Sequence, residues 1–392
     1  MPVVTAWTPR PTPPGRRLVA RAARGIDWAV LMSTGVLVSI GALSIYAATR
    51  NHLLATGRAG TAYLYRDLAN LVVASILAFP VLRFDYRQLK AWAPFAYLAL
   101  CGLLLAVLTP LGATINGAHG WFSVGPVELE PSEFMKLAVI VLLAALLSER
   151  RARELPPSRT DVFVALVVAG VPMLLILVEP ALGIALVIAV TAVTVVALAG
   201  APGRWVAGLI GAALVVGVAA FAFHLLKPYQ EERFTYLTHP NALSTSTGYQ
   251  INQSQIAIGS GGLLGEGFLE GSQTDGGFVP EQQTDFIFTV SAEEGGMLAG
   301  VVLLTALGVL LLRGIAISVA APDIFGRLLA GGIVAWLAFQ SFVNVGMTLG
   351  IMPVTGLPLP FVSYGGSSLF ADLLGVFLLQ NIHRNSRPGL AF

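Results

Sequence analysis

Hydrophobic side chains run through this chain in long unbroken blocks rather than in the i, i+3, i+4 stripes of a soluble amphipathic helix. Ten blocks stand out, at about 28–48, 68–82, 91–109, 133–148, 161–178, 181–199, 205–226, 286–312, 326–349 and 367–382. About 20 apolar residues in a helix cross the hydrocarbon core of a bilayer. A helix also satisfies its own backbone there, where water is absent. The pattern therefore predicts an all-α polytopic membrane protein with about ten transmembrane helices. The fifth and sixth blocks are separated only by Glu179-Pro180, which reads as a tight re-entry. The longest polar stretch runs from about Lys227 to Thr284, between the seventh and eighth blocks. It contains Ile251, Ile256, Ile258, Leu263, Leu264 and Phe268, so an ordered loop packed on the membrane domain is expected. The predicted organisation is a basic tail at 1–26, a ten-span domain at 27–383 with a large loop at about 227–285, and a short tail at 384–392.

Composition narrows the class. Of 392 residues, 56% are apolar and 11% charged, against roughly 25% charged in soluble proteins. That excludes a soluble enzyme and a disordered chain. The one cysteine, Cys101, cannot form an internal disulfide, and it sits in an apolar run as packing. The first block is too long for a signal-peptide core and no small-residue cleavage site follows it, so it reads as a retained span.

Charge gives a direction. With ten spans, one side carries Arg10, Arg16, Arg17, Arg21 and Arg24, the basic residues at 83–90 and 150–159, then Arg204, Arg313, Arg327, Arg384 and Arg387. The other side carries Arg50, Arg58, Arg66, Lys227 and Arg233. The positive-inside rule then places both termini in the cytoplasm and the large loop outside. From Phe234 to Leu312 there is no Lys or Arg, only acids: Glu266, Glu270, Asp275, Glu281, Asp285, Glu293 and Glu294.

Charged groups at membrane depth are costly and so are candidates for chemistry. In Glu130-Pro131-Ser132-Glu133, with Lys136 three residues on, Glu133 and Lys136 share a helix face and can pair. A helix start with a structural ion pair explains that cluster as well as a functional site does. In Glu281-Gln282-Gln283-Thr284-Asp285, Asp285 stands at a membrane edge beside Phe286-Ile287-Phe288. Desolvation there would raise its pKa toward the range of a general base; a helix N-cap is the competing reading. The stretch Gly259-Ser260-Gly261-Gly262, with Gly265 and Gly267, fits no phosphate-binding pattern and is explained by turns. Pro353 through Ser368 holds three prolines and three glycines between 353 and 366, which forbids a continuous helix. Such backbone must line a cavity or be buried in protein. The five histidines are scattered, with no metal-ligand spacing.

These motifs, in this order, resemble the shape, elongation, division and sporulation (SEDS) family, the group containing RodA, FtsW and SpoVE. The resemblance covers nearly the whole chain after Ile26. It rests on Gly117-Ala118, Trp121, Pro131-Ser132-Glu133 with Lys136, Arg233, Pro240, Tyr249-Gln250, Gln253-Ser254 and the Ala257–Gly267 stretch. It continues through Thr284-Asp285-Phe286-Ile287-Phe288, Glu293-Glu294, Phe339-Gln340, Asn344-Val345-Gly346-Met347 and Pro353 through Ser368. It implies a peptidoglycan glycosyltransferase that polymerises lipid II on the outer face of the cytoplasmic membrane. The family's essential aspartate falls on Asp285. Glu133, Lys136, Arg233, Gln250, Gln253, Ser254, Ser363 and Ser367 are the implied substrate-binding positions. A divalent cation, magnesium or manganese, held by carboxylates is the candidate cofactor, and no organic one is implied. The implied partners are a class B penicillin-binding protein, other elongation or division proteins, and membrane lipids; nucleic acid is not among them.

The chain departs from the family pattern in three places. Gly120, after His119, stands where the family usually has Arg before the Trp. Residues 179–184 read Glu-Pro-Ala-Leu-Gly-Ile where the family favours Gln-Pro-Asp-Leu-Gly-Thr, so Ala181 replaces an acid and Ile184 a hydroxyl. Glu130 replaces a Gln. A lipid II flippase and a weakly active scaffold for a division or elongation complex are therefore the alternatives to the enzyme. Broken helices and central charges suit a carrier; the departures suit a scaffold.

Overall fold

The computed structural model describes residues 25–115, 118–124, 127–151, 156–179, 181–223, 231–233 and 246–386. The arginines of the basic tail, Pro180, Lys227, Pro240 and Arg387 lie outside the described residues. Each of the ten apolar blocks coincides with helix. In chain order these are α1 (Trp28–Ala55), α2 (Ala62–Ala78), α3 (Leu89–Val107), α4 (Pro131–Arg151), α5 (Arg159–Val178), α6 (Leu182–Leu198) and α7 (Gly203–Ala222). After α8 (Ser246–Ser260) and the short α9 (Ser272–Gly276) come α10 (Ile287–Glu294), α11 (Gly296–Ala320), α12 (Ile324–Thr348) and α13 (Gly366–Asn385). Seven of the described helical stretches are long and apolar enough to cross a membrane. The protein is a multi-pass, all-α membrane protein.

Burial separates the inner helices from the lipid-facing ones. In α4 and α12, 78% and 67% of the spanning window is buried, against 17% in α2 and 28% in α5. The two inner helices carry the polar side chains, including Glu133, Lys136, Gln340 and Asn344, all nearly inaccessible. Ile76, Trp92, Phe95, Phe163 and Leu174 on the outer helices are exposed, as an apolar solvent requires.

At one end of the bundle, α1 starts at an Asp27 N-cap whose carboxylate accepts from Ala29 and Val30 N–H groups. The same carboxylate takes two hydrogen bonds from Arg313, at 2.6 and 3.1 Å. Gln380 bonds both the N–H and the carbonyl of Asp27 at 2.9 Å. The first, eleventh and thirteenth helices are thus tied together at that end.

The opposite end carries the irregular structure. A small antiparallel sheet, β1 (Ala113–Ile115), β2 (Ala118–Val124) and β3 (Val127–Leu129), leads into α4. The pattern of long apolar blocks gives no sign of it, because its strands are only three to seven residues long. The block at 286–312 is two helices rather than one. The chain breaks at Gly295-Gly296, where Gly296 has φ +64°. A Cβ there would sit 2.3 Å from the Gly265 nitrogen, so only glycine fits. The glycine-rich loop after α8 docks into this break. Glu266 and Gly267 N–H groups donate to the Glu293 and Glu294 carbonyls at the end of α10. Gly262 and Leu263 carbonyls accept from Met297 and Leu298 at the start of α11. The broken helix ends thereby recover their backbone partners away from water. Gly265 (φ +85°) passes so close to the Glu294 carbonyl that a Cβ would lie 2.0 Å from it.

Candidate active site

A cavity of about 570 Å³ opens at the end of the bundle that holds the sheet, a size typical of ligand sites. Asp285, Glu281, Thr284, Arg233 and Gln250 line one part of it. Trp121 of β2, Glu130, Glu133, Ala181 and Ile184 line another, and Val354 to Gly356 and Tyr364 to Ser368 complete the wall.

Asp285 lies in a turn. Its N–H donates to the Glu281 carbonyl at 3.0 Å, and Glu281 itself has φ +51°. Helix α10 begins two residues later with Phe286 at its N-cap, so Asp285 is not the capping residue. Burial, then the neighbouring Glu281, push the Asp285 carboxyl up to about 6, while Arg233 and a Thr284 hydrogen bond pull it down. A carboxylate held there is ionised at neutral pH, yet basic enough to accept a proton.

Glu133 and Lys136 form the predicted pair. Lys136 Nζ donates to Glu133 Oε2 at 2.8 Å and to Gln340 Oε1 at 2.9 Å, and sits 4.9 Å from the Trp336 ring centroid. Glu133 reaches the cavity wall; Lys136 lies behind it, 1% exposed. Arg233, Gln250 and Ser367 also reach the wall. Ser367 accepts from the Glu130 N–H at 2.9 Å and donates to the Glu128 carbonyl at 3.2 Å, so it fixes the junction between β3 and α4.

Three of the expected substrate-binding residues stand elsewhere. Ser254 is buried and donates to the Thr348 carbonyl at 2.7 Å. Gln253 is half-buried on α8 and does not line the cavity. Ser363 is buried between two backbone segments, accepting from Leu359 N–H at 2.8 Å and donating to the Thr284 carbonyl. Glu281 and Glu130, which stand in the two acidic clusters without an assigned substrate role, also line the cavity, and so do Val354 to Gly356 of the proline-rich stretch that was expected to border one. For Glu281 the available signal was its place four residues before Asp285, one turn away.

The departures meet in one spot. Glu179 is 1% exposed, and neither of its carboxylate oxygens has a hydrogen-bond partner among the described residues. A Cβ on Gly120 would lie 3.2 Å from Glu179 Oε2, so Gly120 leaves room for this carboxyl and supplies no cation to it. Desolvation pushes Glu179 up to about 8. Glu130 is also raised, by burial first and then by Glu133. Ala181 and Ile184 face the cavity in place of polar groups, and Glu179 does not line it. The acid two residues earlier therefore does not stand in for one at 181.

Among the described residues, no three His, Cys, Asp or Glu side chains come together in a way that could hold a metal ion.

Comparison with known proteins gives a consistent answer. The chain is 36% identical to the peptidoglycan glycosyltransferase MrdB of Escherichia coli K12 over 366 residues, 92% of this chain and 94% of that protein. It is equally similar, at 36%, to stage V sporulation protein E of Bacillus subtilis 168, with 92% and 98% covered. Among solved structures, a chain of a peptidoglycan synthase complex superposes with a TM-score of 0.77 at 34% identity, covering 93% of this chain and 99% of that one. The rod shape determining protein RodA of Thermus thermophilus gives 0.67 at 32%, with 92% and 97% covered. The family model for FtsW, RodA and SpoVE cell cycle proteins matches residues 27–388, and the chain belongs to that family.

Proposed function

We propose that this protein is a peptidoglycan glycosyltransferase that polymerises lipid II into glycan strands, for cell elongation or division. The observation that carries the reading is Asp285, a carboxylate on the wall of a 570 Å³ cavity whose pKa is raised to about 6. Asp285 takes the proton from the sugar 4-hydroxyl of the acceptor. That oxygen attacks the anomeric carbon of the donor, and polyprenyl pyrophosphate leaves with inversion. Arg233, on the same wall, faces the developing negative charge. Gln250 offers hydrogen bonds to sugar or peptide, and the Ser367 and Ser368 hydroxyls, whose hydrogens go to the Glu128 and Gly365 carbonyls, keep a lone pair to accept one. The described residues do not assemble a divalent-cation site, so this mechanism gives a cation no ligand and no step; no organic cofactor enters it.

The distribution of basic residues supports a bacterial inner-membrane protein with both termini in the cytoplasm, an orientation in which the cavity faces outward, where lipid II is presented. A class B penicillin-binding protein is the proposed partner. The likeness to a chain of a peptidoglycan synthase complex supports that pairing. Elongation or division proteins and lipid headgroups at the basic tail are further proposed contacts.

The test is polymerisation of purified lipid II, with and without the transpeptidase and with and without divalent cation, beside Asp285→Ala. Long glycan chains that vanish in the variant support the enzyme. Folded protein that binds its partner and makes no polymer under any condition points to the scaffold. Lipid II scrambling that survives Asp285→Ala points to the transporter.

A further inference from the structure

Asp285 is held by its backbone, and the holding groups come from outside its own segment. Three consecutive carbonyls accept hydrogen bonds. Gln283 accepts from the Tyr364 N–H at 2.9 Å. Thr284 accepts from the Ser363 hydroxyl. Asp285 accepts from Asn344 Nδ2 at 2.9 Å. The second Asn344 amide hydrogen goes to the Leu357 carbonyl at 2.7 Å. Both neighbours are carbonyl oxygens, which fixes the amide with nitrogen toward them. The amide oxygen has no partner among the described residues, where this fully buried side chain acts as a donor.

Asn344 therefore joins two irregular segments at one point, the turn carrying Asp285 and the proline-rich loop. One helical turn earlier, Gln340 donates to the Pro358 carbonyl at 2.8 Å, while its oxygen accepts from Lys136 and from Trp336 Nε1. Ser363 closes the loop on itself through Leu359 and on the Asp285 turn through Thr284. Neither Asn344 nor Ser363 lines the cavity.

We infer that Asn344 and Ser363 are positioning residues for Asp285: they clamp its turn to the proline-rich loop and do not bind substrate. The inference rests on the proposed role of Asp285. It assigns Ser363, expected from the sequence to contact substrate, to the backbone instead.

The experiment compares Asn344→Asp, Ser363→Ala and Ser363→Thr with wild type and Asp285→Ala, in the complex with the transpeptidase. The readouts are kcat, KM for lipid II and the pH profile. An aspartate offers at most one proton where the asparagine offers two, in nearly the same volume. Displacing a catalytic group by about 1 Å costs on the order of 10²-fold in rate. Asn344→Asp and Ser363→Ala are expected to lower kcat on that order with KM little changed, and Ser363→Thr to restore it. In Ser363→Ala the acid limb of the profile is expected to move to lower pH. Burial is the largest influence raising Asp285, with Glu281 adding to it and Arg233 opposing, and a loosened turn gives up burial. A raised KM with kcat unchanged would make Ser363 a substrate ligand and overturn the inference. Wild-type kcat in both variants would do the same, as would equal loss in Ser363→Ala and Ser363→Thr. Should Asn344→Asp fail to fold, the Ser363 pair decides. Polymerisation by Asp285→Ala would instead remove the proposed function itself.

Discussion

Replacing Lys136 with Met isolates what the buried ion pair contributes. Lys136 is 1% exposed and makes two hydrogen bonds, at 2.8 Å to Glu133 and 2.9 Å to Gln340, over the face of Trp336. Methionine fills most of the stem's volume and makes neither bond. The loss is then dominated by the Glu133 carboxylate, left without its cation in a buried site. Removing one partner of such a pair costs about 3–5 kcal/mol, whereas removing both charges is often close to neutral. Lys136→Met should therefore destabilise by about 3–5 kcal/mol, and Glu133→Gln/Lys136→Met should recover most of that loss. Gln340 keeps its bond from Trp336 in both, so its contact with the Pro358 carbonyl survives. Equilibrium unfolding in mixed micelles, followed by tryptophan fluorescence, measures the cycle. A Lys136→Met loss under about 1 kcal/mol, or a double variant as unstable as the sum of the singles, would refute the assignment of the pair as a buried structural unit.

Two other outcomes follow from the cavity. If Asp285 must be ionised, the polymerisation rate should be half-maximal near pH 6 and fall about tenfold per unit below it; Glu281→Gln removes a raising influence and should move that limb to lower pH, as read from kcat against pH. Glu179 is raised to about 8 from the ordinary glutamate value near 4.5, so the folded state holds a proton that the unfolded state releases between those values, and stability falls as pH rises across that window. Thermal unfolding of Glu179→Gln should match wild type near pH 4.5 and exceed it increasingly up to pH 8, and Gly120→Arg, which sets a cation beside Glu179, should flatten the same slope.

The spans were legible because a bilayer demands long apolar helices, and the ten blocks needed nothing beyond that demand. The break at Gly295-Gly296 was not, since Glu293-Glu294-Gly295-Gly296 sits inside a longer apolar block and a glycine pair alone does not end a helix. What ends it is a backbone docking from Gly262 to Gly267, a tertiary contact between segments some 30 positions apart in sequence. The three-stranded sheet was missed for a related reason. Its strands are three to seven residues long, too short for their alternation to stand out beside the long apolar blocks. Asp285 and Glu133 were legible from their cost at membrane depth. Ser254 and Ser363, implied by the family resemblance, bond backbone carbonyls instead of lining the cavity, because a buried hydroxyl aimed at a carbonyl looks no different in sequence from one aimed at a ligand.

That last confusion has a physical basis that bears on how this protein is built. A helix in a membrane is self-sufficient in backbone hydrogen bonds, but the segments that shape this cavity are not helices. The turn at 281–286, the stretch from Met352 to Gly365 and the glycine-rich loop all expose carbonyl and N–H groups that cannot turn to water. Each group must be met by a side chain or by another irregular segment. Gln340, Asn344 and Ser363 do this from buried positions, Ser254 meets the Thr348 carbonyl at the end of α12, and the Lys136 ammonium braces Gln340. Much of the polar content of the inner helices is thus committed to making non-helical backbone tolerable at that depth. The side chains left to face the cavity outside the Glu133–Lys136 pair are fewer, chiefly Asp285, Glu281, Arg233, Gln250 and Glu130. A substitution in the first set should lower stability and rate together. One in the second should change rate or substrate affinity while the fold holds.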